Sequence, residues 1–126
     1  MEIERKYLID ATKLPFSPED YPVHHIEQGY LCTEPDGHLK SKVDGHIISK
    51  KRYVIPLALF IMQSTYSDLK IELDIFSEDL QGLLLAEVEF PDEKSALSFV
   101  PPAWFGKDVT FSSEYHNSNL SQHTVL

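Results

Sequence analysis

Hydrophobic and polar positions alternate with a period of two along much of this chain, the pattern of strands with one dry and one wet face. In residues 2–9, Ile3, Tyr7 and Ile9 fall on one side, and Glu2, Glu4 and Lys6 on the other. Residues 68–76 repeat the pattern, with Leu69, Ile71, Leu73 and Ile75 opposing Lys70, Glu72 and Asp74. Residues 83–90 do so again, Glu87 and Glu89 sharing a face opposite Val88 and Phe90. Further strands are expected over 23–33, 38–43 and 46–55, punctuated by the turn residues Glu34-Pro35-Asp36-Gly37, by Asp44-Gly45 and by Pro56.

Between them, Asp10-Ala11-Thr12 predicts a short helical turn, and Pro15 with Pro18 makes 13–22 a loop. Residues 57–65 are apolar and read equally as a strand or a hydrophobic loop. A helix is expected over 91–99, with proline in its first turn and acids near its N-terminus, and Pro101-Pro102 stop it. A short strand over 109–111 and a polar tail after Ser118 complete the pattern, which is mostly antiparallel sheet with a few short helices.

Composition narrows the class. A chain of 126 residues, 42% hydrophobic and 25% charged, suits one globular domain. The longest apolar stretch, 55–62, contains Pro56 and is far too short to cross a bilayer. The N-terminus is charged from Glu2 and shows no apolar signal core, and Cys32 is alone, so a cytoplasmic protein is expected, with no membrane partner. A net charge of −9 argues against a nucleic-acid binder. It leaves a small anion open, because a carboxylate pocket loaded with divalent metal attracts phosphate.

Candidate chemistry sits on the polar faces. Glu2, Glu4 and Lys6 come from the first strand, Lys50 and Arg52 from 46–55, Glu72 and Asp74 from 68–76, and Glu87 and Glu89 from 83–90. On a single strand such spacing describes any solvated face. Repeated on four strands, it would put carboxylates and bases on one surface, and a closed barrel would aim them into one lumen. Carboxylates hold divalent cations through hard oxygen ligands, and lysine and arginine meet phosphate oxygens. His24 and His25 are adjacent, so their rings face opposite ways and form no chelate; a structural role is expected. Trp104, Phe105 and Tyr115 are expected to pack on the outside of the sheet.

Glu2-Ile3-Glu4-Arg5-Lys6 resembles the ExExK signature of the CYTH-domain proteins, the triphosphate tunnel metalloenzymes. Six later segments resemble family segments in family order: Gln28-Gly29-Tyr30-Leu31, Lys50-Lys51-Arg52-Tyr53, Glu72-Leu73-Asp74-Ile75-Phe76, Ala86-Glu87-Val88-Glu89-Phe90, residues 104–110 and Tyr115-His116-Asn117. The resemblance implies an α+β fold built on an antiparallel eight-stranded β-barrel, and hydrolysis of inorganic, nucleoside or thiamine triphosphate with Mg²⁺ or Mn²⁺. It implies Glu2, Glu4, Glu87 and Glu89 as metal ligands, Glu4 and Lys6 as catalytic groups, and Lys6, Lys40, Lys50 and Arg52 as phosphate contacts. Glu72 and Asp74 take the place of secondary acidic residues.

The chain also departs from the family. His38-Leu39-Lys40 stands where an Arg-x-Arg strand is expected, and about two strands are missing before residue 46. The expected fold is therefore a reduced tunnel or open cup with two open edges, closable by a second copy. Adenylate cyclase-like activity, and polyphosphate or nucleotide binding without turnover, are the alternatives. A further reading is an assembly protein that recruits a partner strand.

Overall fold

The computed structural model describes residues 3–28, 32–33, 39–40, 48–112 and 115, and the expected strand positions at 29–31, 41–43 and 46–47 lie outside them. Eight strands are present among the described residues: β1 (Ile3–Ile9), β2 (Val23–Gln28), β3 (Cys32–Thr33), β4 (Leu39–Lys40), β5 (Ile48–Pro56), β6 (Lys70–Ser77), β7 (Leu84–Phe90) and β8 (Phe105–Asp108). Six form one sheet in the order β2-β5-β6-β7-β1-β8, and β3 pairs with β4 in a separate ladder. All the pairings are antiparallel. The sheet is not closed: β2 and β8 end it and do not pair with each other. Among the described residues, no helix is long and apolar enough to cross a membrane.

The dry face follows the alternation. Tyr7, Ile9, Tyr53, Ile55, Ile71, Leu73, Ala86, Val88 and Phe90 are buried on it. Helix α1 (Glu93–Leu97) and the segment after it cover this face through Ala96, Phe99, Trp104 and Phe105. Their rings interlock, Trp104 on Phe105 at 4.6 Å and Phe90 on Phe99 at 5.0 Å between centroids. Each such side chain contributes about 1.5–3 kcal/mol when fully buried. The helix is shorter than the 91–99 expected, because Asp92 caps it by accepting from the Ser95 N–H at 2.7 Å. Arg5 shares this face without being apolar. Its guanidinium donates to the Ala96 carbonyl and to Asp108, clamping α1 and β8 onto β1.

One open reading is decided and two other expectations need correcting. Residues 57–65 are not a strand: they hold two 3-10 turns, Leu57–Leu59 and Ser64–Tyr66, with Leu57 and Tyr66 buried. The last strand is Phe105–Asp108 rather than 109–111. Asp108 ends it by accepting from the Thr110 N–H at 2.9 Å and the Thr110 hydroxyl at 2.6 Å, a turn that competes with strand pairing. Tyr115 packs not with Trp104 and Phe105 but with a second apolar cluster of Ile48, Phe76, Leu80, Leu83, Leu85 and Val109. Close approach dictates one glycine. A Cβ on Gly106 would lie 2.5 Å from the Leu8 carbonyl oxygen, so β8 reaches β1 only with glycine there.

Candidate functional site

The opposite face of the sheet gathers the charged side chains, and the register sets their order. Lys6 stands opposite Glu87, which stands opposite Glu72. Glu4 stands opposite Glu89. One step along, Leu85, Asp74, Arg52 and His24 form a continuous row across β7, β6, β5 and β2. Next come Phe76, Lys50 and Ile26. Antiparallel pairing keeps directly opposed residues on one face, so seven of the charged residues expected from the sequence, Glu4, Lys6, Lys50, Arg52, Glu72, Asp74 and Glu87, share one surface with Glu89. Glu2 lies outside the described residues, as does His38. Lys40 lies in β4 opposite Cys32, in the separate ladder rather than in the six-stranded sheet.

Asp74 is the hub. It is 0% exposed, and it accepts from Lys50 Nζ at 2.7 Å and from Arg52 Nε and Nη2 at 2.8 and 2.9 Å. Arg52 Nη1 reaches Glu72 at 3.2 Å. Hydrogen bonding to Asp74 holds the Arg52 guanidinium even more firmly protonated than usual. Lys50 is 4% exposed and lies 5.1 Å from the centre of the Phe76 ring, so its ammonium depends on Asp74 for compensation. The sequence left Asp74 open between surface and site; its burial rules out the surface.

Beside this hub lies a carboxylate group. Glu4 is pushed up to about 7, first by burial, then by a hydrogen bond shared with Glu87 and by the charge of Glu87. Glu89 adds to the rise, and Lys6, 3.9 Å away, opposes it. Lys6 itself is buried, 3.5 Å from Glu87, and donates to the Tyr115 carbonyl at 3.2 Å. That carbonyl, from the far end of the chain, had no signal in the sequence. A cleft of about 560 Å³ opens at this end of the face, lined by Val54, Thr65, Asp68, Glu72 and Glu89 among others.

Among the described residues, no three carboxylate, imidazole or thiolate groups converge tightly enough to form a metal cage. The donor chemistry nevertheless fits a hard divalent cation. Glu4 and Glu87 are close enough to share a proton, and after burial it is the charge of Glu87 and Glu89 that raises Glu4, negative charge that a cation would balance. The whole face carries the same imbalance. Its acids Glu4, Glu72, Asp74, Glu87 and Glu89 outnumber Lys6, Lys50, Arg52 and Lys70 by one.

This geometry defines a class: an open antiparallel sheet of the triphosphate-tunnel type, one face apolar and the other lined with paired acids and bases. No family model matches the chain. The crystal structure of the inorganic triphosphatase NE1496 superposes with a TM-score of 0.71 at 28% identity, over 98% of this chain and 95% of that one. A second structure, of the hypothetical protein NE1496, gives 0.70 at 25% identity. An inorganic triphosphatase of Nitrosomonas europaea is 48% identical over 50 residues, 40% of this chain and 33% of that protein. An inorganic triphosphatase of Acetivibrio thermocellus is 34% identical over 91 residues, 72% of this chain and 44% of that protein. The chain thus matches less than half the length of each of these curated relatives, and it shares the fold of the solved triphosphatase.

Proposed function

We propose that the chain is a shortened CYTH-type domain that hydrolyses a triphosphate, inorganic triphosphate being the first candidate, with the help of Mg²⁺ or Mn²⁺. The observation that carries this reading is the register that sets Lys6, Lys50 and Arg52 beside Glu4 and Glu87 on one face of a fold shared with an inorganic triphosphatase. Phosphoryl transfer needs positioning and charge neutralisation more than covalent chemistry, and this face offers both.

Glu4, Glu87 and Glu89, with Glu2, would hold the divalent cation, which when bound supplies positive charge to phosphate oxygens and lowers the pKa of water. The chain's own side chains do the rest. Arginine has five N–H donors; two of those on Arg52 go to Asp74, and its Nη1 lies 3.2 Å from Glu72. The remaining N–H groups are available to a phosphate oxygen. Lys50 and Lys6 add point charges on either side. Without a cation Glu4 is raised to about 7, and a bound cation would take the place of the proton held there. The water oxygen attacks the terminal phosphorus, its proton passes to a carboxylate of this face, and the bridging P–O bond breaks to release phosphate and pyrophosphate. A second copy paired along an open sheet edge would complete the enclosure.

Phosphate release from inorganic triphosphate, ATP and thiamine triphosphate, with and without Mg²⁺ or Mn²⁺, tests the proposal. Metal-dependent turnover that vanishes in Glu4→Gln and Arg52→Ala is the expected result. Tight binding of triphosphate by a folded chain without turnover would make it a binding module instead. Pyrophosphate with cyclic nucleotide from ATP would make it a cyclase.

A further inference from the structure

On the charged face, each described lysine or arginine assigned to the site is already committed to an acid. Lys50 and Arg52 are held by Asp74, and Lys6 by Glu87 and the Tyr115 carbonyl. A polyanion settling there would have to share cations with buried carboxylates. One further basic side chain lies in the same row. His24 of β2 stands directly opposite Arg52, and this register puts both side chains on one face. His25 falls on the other face, opposite Lys51.

Three features make His24 more than a surface residue. Its ring is exposed, and it forms no hydrogen bond or ion pair with any described residue. Its β5 neighbours on that face are Arg52 directly across and Lys50, the partner of Ile26, on the diagonal; no described carboxylate faces it from β2 or β5. Arg52 leans the other way, toward β6, giving two N–H groups to Asp74 and pairing with Glu72 at 3.2 Å. Directly opposed residues have Cβ atoms about 4.5–5.5 Å apart. The space between the β2 side of Arg52 and the His24 ring is therefore bordered by N–H donors and no described acid. An anion's oxygen is the group that satisfies both.

We propose that His24 is a substrate-contact residue, donating a ring N–H to a phosphate oxygen of triphosphate seated on Arg52, so that the anion site extends onto β2. This inference rests on the triphosphate reading given above. It makes the edge strand part of the site, where the sequence pattern gave the histidine pair only a structural role.

Ring resonances of the histidines, followed by ¹H–¹³C NMR while inorganic triphosphate is added with Mg²⁺, test it. The signal missing from His24→Gln should move with a saturating curve, while that of His25 stays still. His24→Gln should weaken triphosphate binding and raise KM about 3- to 10-fold, the range of an ordinary hydrogen bond, as suits an exposed ring, with kcat little changed. His24→Lys should restore most of the loss. If wild type binds triphosphate while the His24 signal is unmoved and His24→Gln binds equally well, the inference falls and the triphosphate reading stands. If wild type binds no triphosphate, both fall.

Discussion

Asp74 offers the sharpest test of how the charged face is built. It is wholly buried under Lys50 and Arg52, and Lys50 is 4% exposed. Asp74→Asn keeps the volume but removes the charge, leaving the Lys50 ammonium in a desolvated position beside the Phe76 ring. Arg52 is half-buried and can turn toward Glu72 or water, so the damage concentrates on Lys50. Removing one partner of a buried pair costs about 3–5 kcal/mol. Ordinary domains have a total stability of about 5–15 kcal/mol, so a large share of it is at stake. With a urea m-value of about 2 kcal/mol/M, the unfolding midpoint should fall by roughly 1.5–2.5 M. The double change Asp74→Leu with Lys50→Met removes both charges together and should recover most of the loss, since apolar replacement of a buried pair is often close to neutral. Urea unfolding followed by circular dichroism measures both. A single variant that loses less than about 1 kcal/mol would show that water reaches Lys50, and the buried-hub account would be wrong.

Three further outcomes follow from particular contacts. Glu4 titrates at about 7 instead of 4.5, so across that window the folded chain holds a proton that the unfolded chain has released. The stability from this group is therefore complete below about pH 4.5 and is lost as the pH rises to about 7. Glu4→Gln should flatten that part of a plot of urea midpoint against pH, and an unchanged slope would contradict the assignment. Gly106→Ala drives a methyl group to 2.5 Å from the Leu8 carbonyl oxygen, a backbone atom that cannot swing aside. It should cost about 1–3 kcal/mol and lower the melting temperature, and an unchanged Tm would mean that β8 does not lie this close to β1. Phe99 contacts Tyr7, Phe90 and Phe105 at 6.1, 5.0 and 6.2 Å between ring centroids, so Phe99→Ala should cost about 3–5 kcal/mol in chemical denaturation. A loss below about 1 kcal/mol would place the ring outside the core.

Most of the sheet was legible because period-two alternation is a local property. β1, β6 and β7 fall within a residue or two of their expected bounds, and their polar residues do share one face. What stayed hidden depends on contacts far apart in sequence. Phe105–Asp108 carries no alternation; it is a strand because β1 offers an edge and Asp108 turns the chain afterwards. Residues 57–65 read equally as a strand or a loop because they are largely apolar, and their burial is met by 3-10 turns that tuck in Leu57 and Tyr66. The sequence listed Asp74 among several acids, yet its separation from Glu87 and Glu89 in role comes from cross-strand register. Asp74 faces Leu85 and Arg52, whereas Glu87 faces Lys6 and Glu72. His24 was passed over for the same reason: a histidine pair on adjacent positions says nothing about which ring an edge strand will aim at an arginine.

The register also explains why charges so concentrated do not tear the sheet apart. Base meets acid at two junctions, Lys6 against Glu87 and Arg52 against Asp74, and these attractions offset the like-charge pairs Glu4–Glu89 and Glu72–Glu87. This arrangement is stable only while the bases stay bound to the acids, and a triphosphate needs those same bases. The conflict is resolved where donors exceed partners. Arg52 keeps N–H groups beyond the two it gives to Asp74, while Lys50, buried beneath, adds positive charge without leaving Asp74. The anion can then bind on top of the pairs without breaking them, and Asp74 becomes the group that aims both cations. The remaining obstacle is net charge. A polyanion will not settle on a face carrying more acids than bases unless positive charge arrives with it. The pair of carboxylates at Glu4 and Glu87, already crowded enough to share a proton, is where that charge does the most good.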